Sequence, residues 1–357
     1  MRVAVVLDTW FPFIGGGQIN AYEISKRLAK GDIHVDIITR NNGRENLQLP
    51  RNLKVVKLGK SKIVFEARAF LYLIRSNYDI IHAHAFFPGI TARLVSVFTK
   101  TPTIFTVHGT SINTKLNNIF SRSIEKFILT QILYNREITV SQDFLKFKNI
   151  NKKVVYIANG VDCDKFERIR AKQTKKPTVL FVGRLHPQKN LINIIKAVNI
   201  AKEKIDLEFV IVGTGPQKSQ IKQLIKDLKL QNTITMLGAV TGSDLISIYK
   251  SCDVLILCSV YEGQPLTLLE AWAARKPVIA ARTGDCQYLI KDGKNGYLIN
   301  DPLNINEIAR VIVKALRNKS LSSLGQNGYN LVRKNFSWEK SAQQTKNVYE
   351  SLTKSQN

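Results

Sequence analysis

Cysteine is scarce in this chain, and acidic residues are outnumbered. The four cysteines (Cys163, Cys252, Cys258, Cys286) form no Cys-x-x-Cys pair and no zinc spacing. That excludes a disulfide scaffold and a zinc module. They read as reduced residues of a cytosolic protein, mostly buried in strand regions. No apolar run approaches the roughly 18 residues of a spanning helix. The opening apolar stretch, Val3 to Leu7, is cut by Asp8 and is too short for a secretory signal. There is no low-complexity segment, and no motif repeats between the halves. A full G-x-G-x-x-G or Walker pattern is absent too.

Positive charge is what the chain has in excess. Lys and Arg number 53 against 27 Asp and Glu, a formal net charge of +26 over 357 residues. The excess is shared: residues 1–170 hold 26 of the basic and 13 of the acidic side chains, so no tail explains it. The densest run is Arg51, Lys54, Lys57, Lys60 and Lys62, followed by an amphipathic stretch from Val64 to Arg75. Such a surface could rest on anionic lipid, at roughly 1 kcal/mol per basic side chain. It could equally be a solvated basic face. Nucleic acid is a third reading, but no binding motif or set of stacking aromatics supports it.

At 357 residues two domains are expected. Strand-like runs alternate with helical patterns throughout. Strands are predicted at 2–7, 35–39, 52–58, 79–82, 103–107, 137–140 and 154–157, with helices at 18–30, 64–76, 88–98, 115–133 and 141–147. This alternation predicts a doubly wound parallel sheet. The polar, basic stretch 168–177 reads as a linker. A second series follows, with strands at 178–182, 207–212, 233–237, 254–257 and 277–280. Its helices are predicted at 191–203, 215–229, 243–250, 265–274, 304–317 and 320–334, and a last amphipathic helix at 337–352. The expected domains are 1–168 and 169–336.

The stretch Tyr261-Glu262-Gly263-Gln264-Pro265-Leu266-Thr267-Leu268-Leu269-Glu270-Ala271 carries the most chemistry. Glu262 falls on the loop after a strand, and Glu270 about a turn into a helix opening near Pro265. Ligands bind at such carboxyl ends of strands in open α/β sheets. Two carboxylates there can accept hydrogen bonds from the hydroxyls of a sugar or ribose. The plain alternative is a pair of solvated helix-end charges. Gly15-Gly16-Gly17, between the first strand and helix, suits close approach of an anion such as a diphosphate, or a purely structural turn. Gly183-Arg184-Leu185-His186-Pro187-Gln188-Lys189 sets two cations on a loop entering a helix, a diphosphate clamp. Val212-Gly213-Thr214-Gly215-Pro216 and Leu237-Gly238-Ala239-Val240 end strands where a base or ribose could lie. Each alone is more often a plain turn.

Two metal signals carry little weight. Asp162-Cys163-Asp164 has the D-x-D form but sits in a turn after a strand, and His82 and His84 read better as satisfied core or cleft histidines. His108 ends another strand and has two readings, a substrate contact or packing.

Taken in order, these motifs resemble the retaining nucleotide-sugar glycosyltransferases of the GT-B fold with the E-x7-E motif (glycosyltransferase family 4, group 1). The likeness runs over nearly the whole chain. It implies two Rossmann-like domains facing a cleft, the first binding acceptor, the second binding the nucleotide sugar, with the helix 337–357 crossing back onto the first. It implies that Glu270 holds the ribose and Glu262 contacts the donor sugar. Arg184 and Lys189 would neutralise the departing diphosphate in place of a metal ion. Gly16 and Gly17 would touch the donor phosphate, and His108 the donor sugar. Gly213, Gly215, Val240, Pro265 and the backbone at Gln264 and Leu266 complete the implied donor site. Gln264 stands where many relatives have Phe, and Thr283-Gly284-Asp285-Cys286 departs from the commoner Gly-Gly-x-Pro-Glu.

The resemblance implies transfer of a hexosyl group to an acceptor hydroxyl with retention, by front-face attack, without metal or cofactor. The expected partners are a nucleotide-sugar donor and a sugar, glycolipid, lipid-linked or polysaccharide acceptor. The expected location is cytoplasmic, with the cytoplasmic membrane face as the alternative. Rival readings are a nucleotide-sugar epimerase on the same scaffold and a non-enzymatic basic protein that binds membrane or nucleic acid.

Overall fold

The structure, a computed structural model of the chain, describes residues 1–11, 15–41, 43, 47–109, 119–147, 153–171, 174 and 176–354. Thr110, the start of the helix expected at 115–133, linker positions 172, 173 and 175, and residues 355–357 lie outside them. The chain divides into two compact units, residues 1–160 with 338–357, and residues 161–337.

The first unit holds a seven-stranded parallel sheet. Its strands are β1 (Arg2–Leu7), β2 (His34–Thr39), β3 (Leu53–Lys57), β4 (Ile80–His84), β5 (Thr103–Val107), β6 (Arg136–Thr139) and β7 (Val154–Tyr156). They lie in the order β3-β2-β1-β4-β5-β6-β7. Helices α1 (Gly16–Lys30), α2 (Lys62–Ile74), α3 (Phe86–Thr99) and α4 (Ile119–Gln131) connect them. Every residue of β4 and β5 is buried, as a sheet covered on both faces requires. That is why these strands read as apolar runs and not as alternating ones. The order reverses direction between β1 and β4, which sets a crevice at the carboxyl ends of those two strands.

The second unit begins with α5 (Cys163–Arg168) and has a six-stranded parallel sheet. Its strands are β8 (Thr178–Val182), β9 (Glu208–Val212), β10 (Ile234–Gly238), β11 (Val254–Leu257), β12 (Val278–Ala281) and β13 (Gly296–Ile299), in the order β10-β9-β8-β11-β12-β13. The helices are α6 (Leu191–Ala201), α7 (Lys218–Asp227), α8 (Gly242–Ser251), α9 (Leu266–Ala273), α10 (Cys286–Leu289), α11 (Ile305–Leu316) and α12 (Leu321–Asn335). Phe181, Phe209, Ile194 and Ile256 are fully buried in its core, each side chain contributing about 1.5–3 kcal/mol on burial. Here the order reverses between β8 and β11.

The last helix, α13 (Trp338–Thr353), belongs to the first unit. Its buried residues Trp338, Ser341, Ala342, Thr345, Val348, Tyr349 and Leu352 recur every three or four positions, a single stripe on a helix. Arg27 Nε on α1 donates to Glu339 Oε1 at 2.7 Å, and Ser341 Oγ to the carbonyl of Ala158 at 2.7 Å.

Three local expectations change. Residues 143–146 form one 3-10 turn, not a helix over 141–147; so short a segment has little helical stability of its own. β13 was hidden because it is four residues long and opens on a glycine. The cysteines are all buried, but none lies within a strand: Cys163 opens α5, Cys286 opens α10, and Cys252 and Cys258 flank β11.

Candidate functional site

In the second unit, the loops after β8 and β11 meet at the sheet's reversal point. Gln188 clips them together: its side-chain amide donates to the carbonyl of Tyr261 at 3.0 Å, and its own carbonyl accepts from Val260 N–H at 2.9 Å. Between β8 and α6, residues 187–189 make a 3-10 turn, capped by His186, whose Nδ1 accepts from Gln188 N–H. This turn aims Lys189 across the gap, where its ammonium pairs with the carboxylate of Glu262. Both side chains are largely buried, so water screens the pair weakly. Arg184 is exposed, and among the described residues its guanidinium has no ion-pair partner. The two predicted cations therefore differ: one is already neutralised by a predicted carboxylate, the other faces solvent.

The glycine turn after β9 closes the same site. Gly213 has φ of 138°, and a β-carbon there would fall 1.8 Å from the carbonyl oxygen of Gly183. Leu185 N–H donates to Thr214 O at 2.9 Å. The segment 213–215 thus packs backbone against backbone on the Arg184 loop. Gly284, at φ 50°, does the same on the other side, since its β-carbon would sit 2.3 Å from Glu262 O. Asp285 N–H donates to Gly263 O at 2.9 Å, and Gln264, buried, reaches Asp285 Oδ2 at 3.4 Å. The segment that departs from Gly-Gly-x-Pro-Glu is therefore what holds the Glu262 loop.

Pro265 is the N-cap of α9 rather than its first helical residue. Leu266 opens the helix, whose first N–H groups lack intrahelical acceptors. One turn on, Glu270 Oε2 accepts from Tyr249 OH on α8 at 2.7 Å. Burial pushes the Glu270 carboxyl above its ordinary pKa, opposed by that hydrogen bond. Val240 is half-buried on the loop between β10 and α8. Asp162 caps α5, accepting from Lys165 N–H at 3.3 Å, a structural role for the first aspartate of the D-x-D sequence.

The first unit has its own cavity at the ends of β1, β4 and β5, of about 260 Å³. Asp8, Gly17, Gln18, His84, Phe86 and His108 are among its lining residues. Gly16 opens α1 beside it and is exposed. A β-carbon on Gly17 would lie 3.3 Å from the His108 ring, so the glycine loop and the histidine are neighbours. His84 Nδ1 and His108 Nε2 are 2.9 Å apart and share one hydrogen bond. His82, on the same face of β4 as His84, is saturated: Nδ1 meets Tyr349 OH at 2.7 Å and Nε2 meets Thr106 Oγ1 at 2.6 Å. Burial lowers all three imidazoles, His82 to about 3, His108 to about 4 and His84 well below its usual value. They are neutral at physiological pH. Among the described residues no three His, Cys, Asp or Glu side chains gather as a metal site.

Reading the sequence missed Tyr249, Gln188, Asp8 and Gln18. Tyr249 carries no local signal, because its link to Glu270 crosses between two helices. Asp8 and Gln18 flank the glycine loop and could have been found from that position.

The class follows from the family matches laid over these parts. Two parallel α/β sheets carry glycine turns at their reversal points, a Lys–Glu pair and a ligand-sized cavity, and the chain is a glycosyltransferase of the GT-B fold. Residues 14–165 match the Glycosyltransferase Family 4 model, and residues 162–331 match Glycosyl transferases group 1. The chain is 29% identical to the uncharacterized glycosyltransferase MJ1178 of Methanocaldococcus jannaschii, over 96% of this chain and 97% of that one. It is 28% identical to the UDP-Gal:alpha-D-GlcNAc-diphosphoundecaprenol alpha-1,3-galactosyltransferase of Escherichia coli, over 84% and 81%. Sucrose-phosphate synthase from Thermosynechococcus elongatus shares the fold, with a TM-score of 0.86, 21% identity and 99% of both chains covered.

Proposed function

We propose that the protein transfers a sugar from a nucleoside-diphosphate sugar to an acceptor hydroxyl, with retention and without a metal ion, and that the acceptor is lipid-linked. The observation that carries the reading is Lys189 held against Glu262 at the reversal point of the second sheet. The donor's diphosphate takes Lys189 as its counter-ion, joined by the exposed Arg184 and the first N–H groups of α9. Glu262, released from its partner, is then free to hydrogen-bond the sugar. Glu270, oriented by Tyr249, accepts from the ribose. Charge grows on the diphosphate as the glycosidic bond breaks, so fixed cations and helix N–H groups stabilise the transition state more than the ground state. The acceptor hydroxyl enters through the first unit's cavity. His108, neutral and held by His84, presents a hydrogen-bonding ring there and not a cation. The galactosyltransferase relative, whose name gives a UDP-sugar donor and a diphosphoundecaprenol-linked acceptor, favours a lipid-linked acceptor for this chain.

The test is donor turnover by variants. Glu270→Ala is expected to raise KM with kcat little changed. Glu262→Ala is expected to lower kcat and kcat/KM together. Full activity in both variants would remove the assignment.

A further inference from the structure

The exposed large apolar side chains of the described residues are distributed unevenly. Ten lie in the first unit and three, widely separated, in the second. Seven of the ten lie on α2 and α3. On α3, Phe87, Leu94, Val97 and Phe98 face outward, with Val97 62% and Phe98 67% exposed. On α2, Ile63, at 84%, is followed by Val64 and Leu71. Phe87, Leu94 and Phe98 are seven and four residues apart, and Ile63 and Leu71 eight, close to whole numbers of turns, so each set lies along one side of its helix. Soluble surfaces rarely leave such a face open without a use.

The two helices run side by side in the same direction. Lys62 Nζ lies 3.5 Å over the Phe87 ring, Thr91 Oγ1 donates to Glu66 Oε2 at 2.6 Å, and the rings of Phe70 and Phe98 meet edge-on at 6.0 Å. These contacts join successive turns, and they make the two stripes one surface. Glu66 is the sole acid on α2, and it turns inward to Thr91; α3 has none. Lys60, Lys62, Arg68, Arg75, Arg93 and Lys100 lie on or beside the two helices, Lys62 directly over the face. The face therefore combines apolar bulk with cations and no outward carboxylate.

We propose that this α2–α3 face docks the protein on an anionic lipid bilayer. Apolar side chains would enter the headgroup boundary, while the flanking cations meet lipid phosphates. A protein partner of ordinary composition would need carboxylates opposite six cations and an apolar core besides; an anionic bilayer supplies both everywhere. The position suits transfer to a lipid-linked acceptor: Phe86 lines the first unit's cavity and Phe87, the next residue, belongs to the docking face. Docking itself rests on this surface alone; its service to catalysis rests on the reading above. The basic run Arg51–Lys62 is a smaller contributor than its sequence suggests. Lys54 and Lys57 belong to β3, and the Lys57 ammonium is committed to the carbonyl of Gly43 at 2.6 Å.

The test is sedimentation of the full chain with vesicles of phosphatidylcholine alone or mixed with phosphatidylglycerol. The expected result is partitioning onto the mixed vesicles only, weakening with salt. The double variant Leu94→Asp with Val97→Asp should lower that partitioning by at least about tenfold. Leu303→Asp, an exposed leucine of the second unit, should leave it unchanged. Both variants should keep the wild-type thermal midpoint and UDP or GDP affinity. Equal binding by the double variant, no binding of wild type to either vesicle, or a dimer dissolved by the same substitutions would overturn the proposal. Loss of nucleotide binding by wild type would instead sink the functional reading and leave docking standing.

Discussion

At the scale of single residues, the molecule stores its specialised chemistry in groups whose ordinary charge is suppressed. His82, His84 and His108 are kept neutral by burial. The unfolded chain protonates these imidazoles near the model value of 6.5, whereas folded His82 and His108 wait until about 3 and about 4. As pH falls below about 6.5 the unfolded state binds protons that the folded state refuses, so stability falls, at about 1.4 kcal/mol per pH unit for each such histidine. Thermal melts between about pH 7 and about pH 4 should show a falling midpoint, and an unchanged one would contradict the neutral cluster. Glu137 works in the opposite sense. It is buried on β6, both carboxyl oxygens lack hydrogen-bond partners among the described residues, and burial raises its pKa from 4.5 to about 8. Here the folded state holds a proton that the unfolded state has lost, so stability drops as pH rises from about 4.5 to about 8. Glu137→Gln should therefore gain on wild type across that window and run parallel below it. A constant difference across the range would show that the carboxyl is ionised and otherwise compensated.

At the scale of elements, the site depends on loops whose backbones touch. Gly284 has positive φ and leaves no room for a β-carbon beside Glu262 O. Gly284→Ala should cost about 1–3 kcal/mol and, because Asp285 N–H ties the same loop to Gly263, should also reduce donor affinity. Calorimetry and nucleotide titration of the variant measure the two effects, and loss of neither would mean that the loop is not a scaffold for Glu262. This scale also divides what could be read from the chain. Strands such as β4 and β8 were legible because buried parallel strands are runs of apolar residues. Glu262, Lys189 and the glycine turns were legible because they lie within a few residues of a strand end. The Tyr249–Glu270 bond and the His82–Tyr349 bond were not, because each partner looks ordinary in its own helix or strand. Only the fold, with separations of 21 and 267 residues, joins them. The outward apolar stripe of α3 was hidden differently: a helix apolar on both sides reads as a buried one until the sheet shows which side it covers.

At the scale of the whole molecule, the even spread of a +26 charge over both halves suits two anionic ligands at once, a diphosphate donor and a lipid surface. No helix among the described residues is long and apolar enough to cross a membrane. The central claim is that fixed side chains, and no divalent cation, hold the donor's diphosphate. Its most direct test is calorimetric titration of UDP, GDP and ADP into the protein with and without EDTA, repeated on Arg184→Ala and Lys189→Ala. The account predicts that at least one nucleotide binds equally well in chelator, and that each substitution weakens it by roughly tenfold or more. Binding that disappears in EDTA, or that survives both substitutions undiminished, would contradict it.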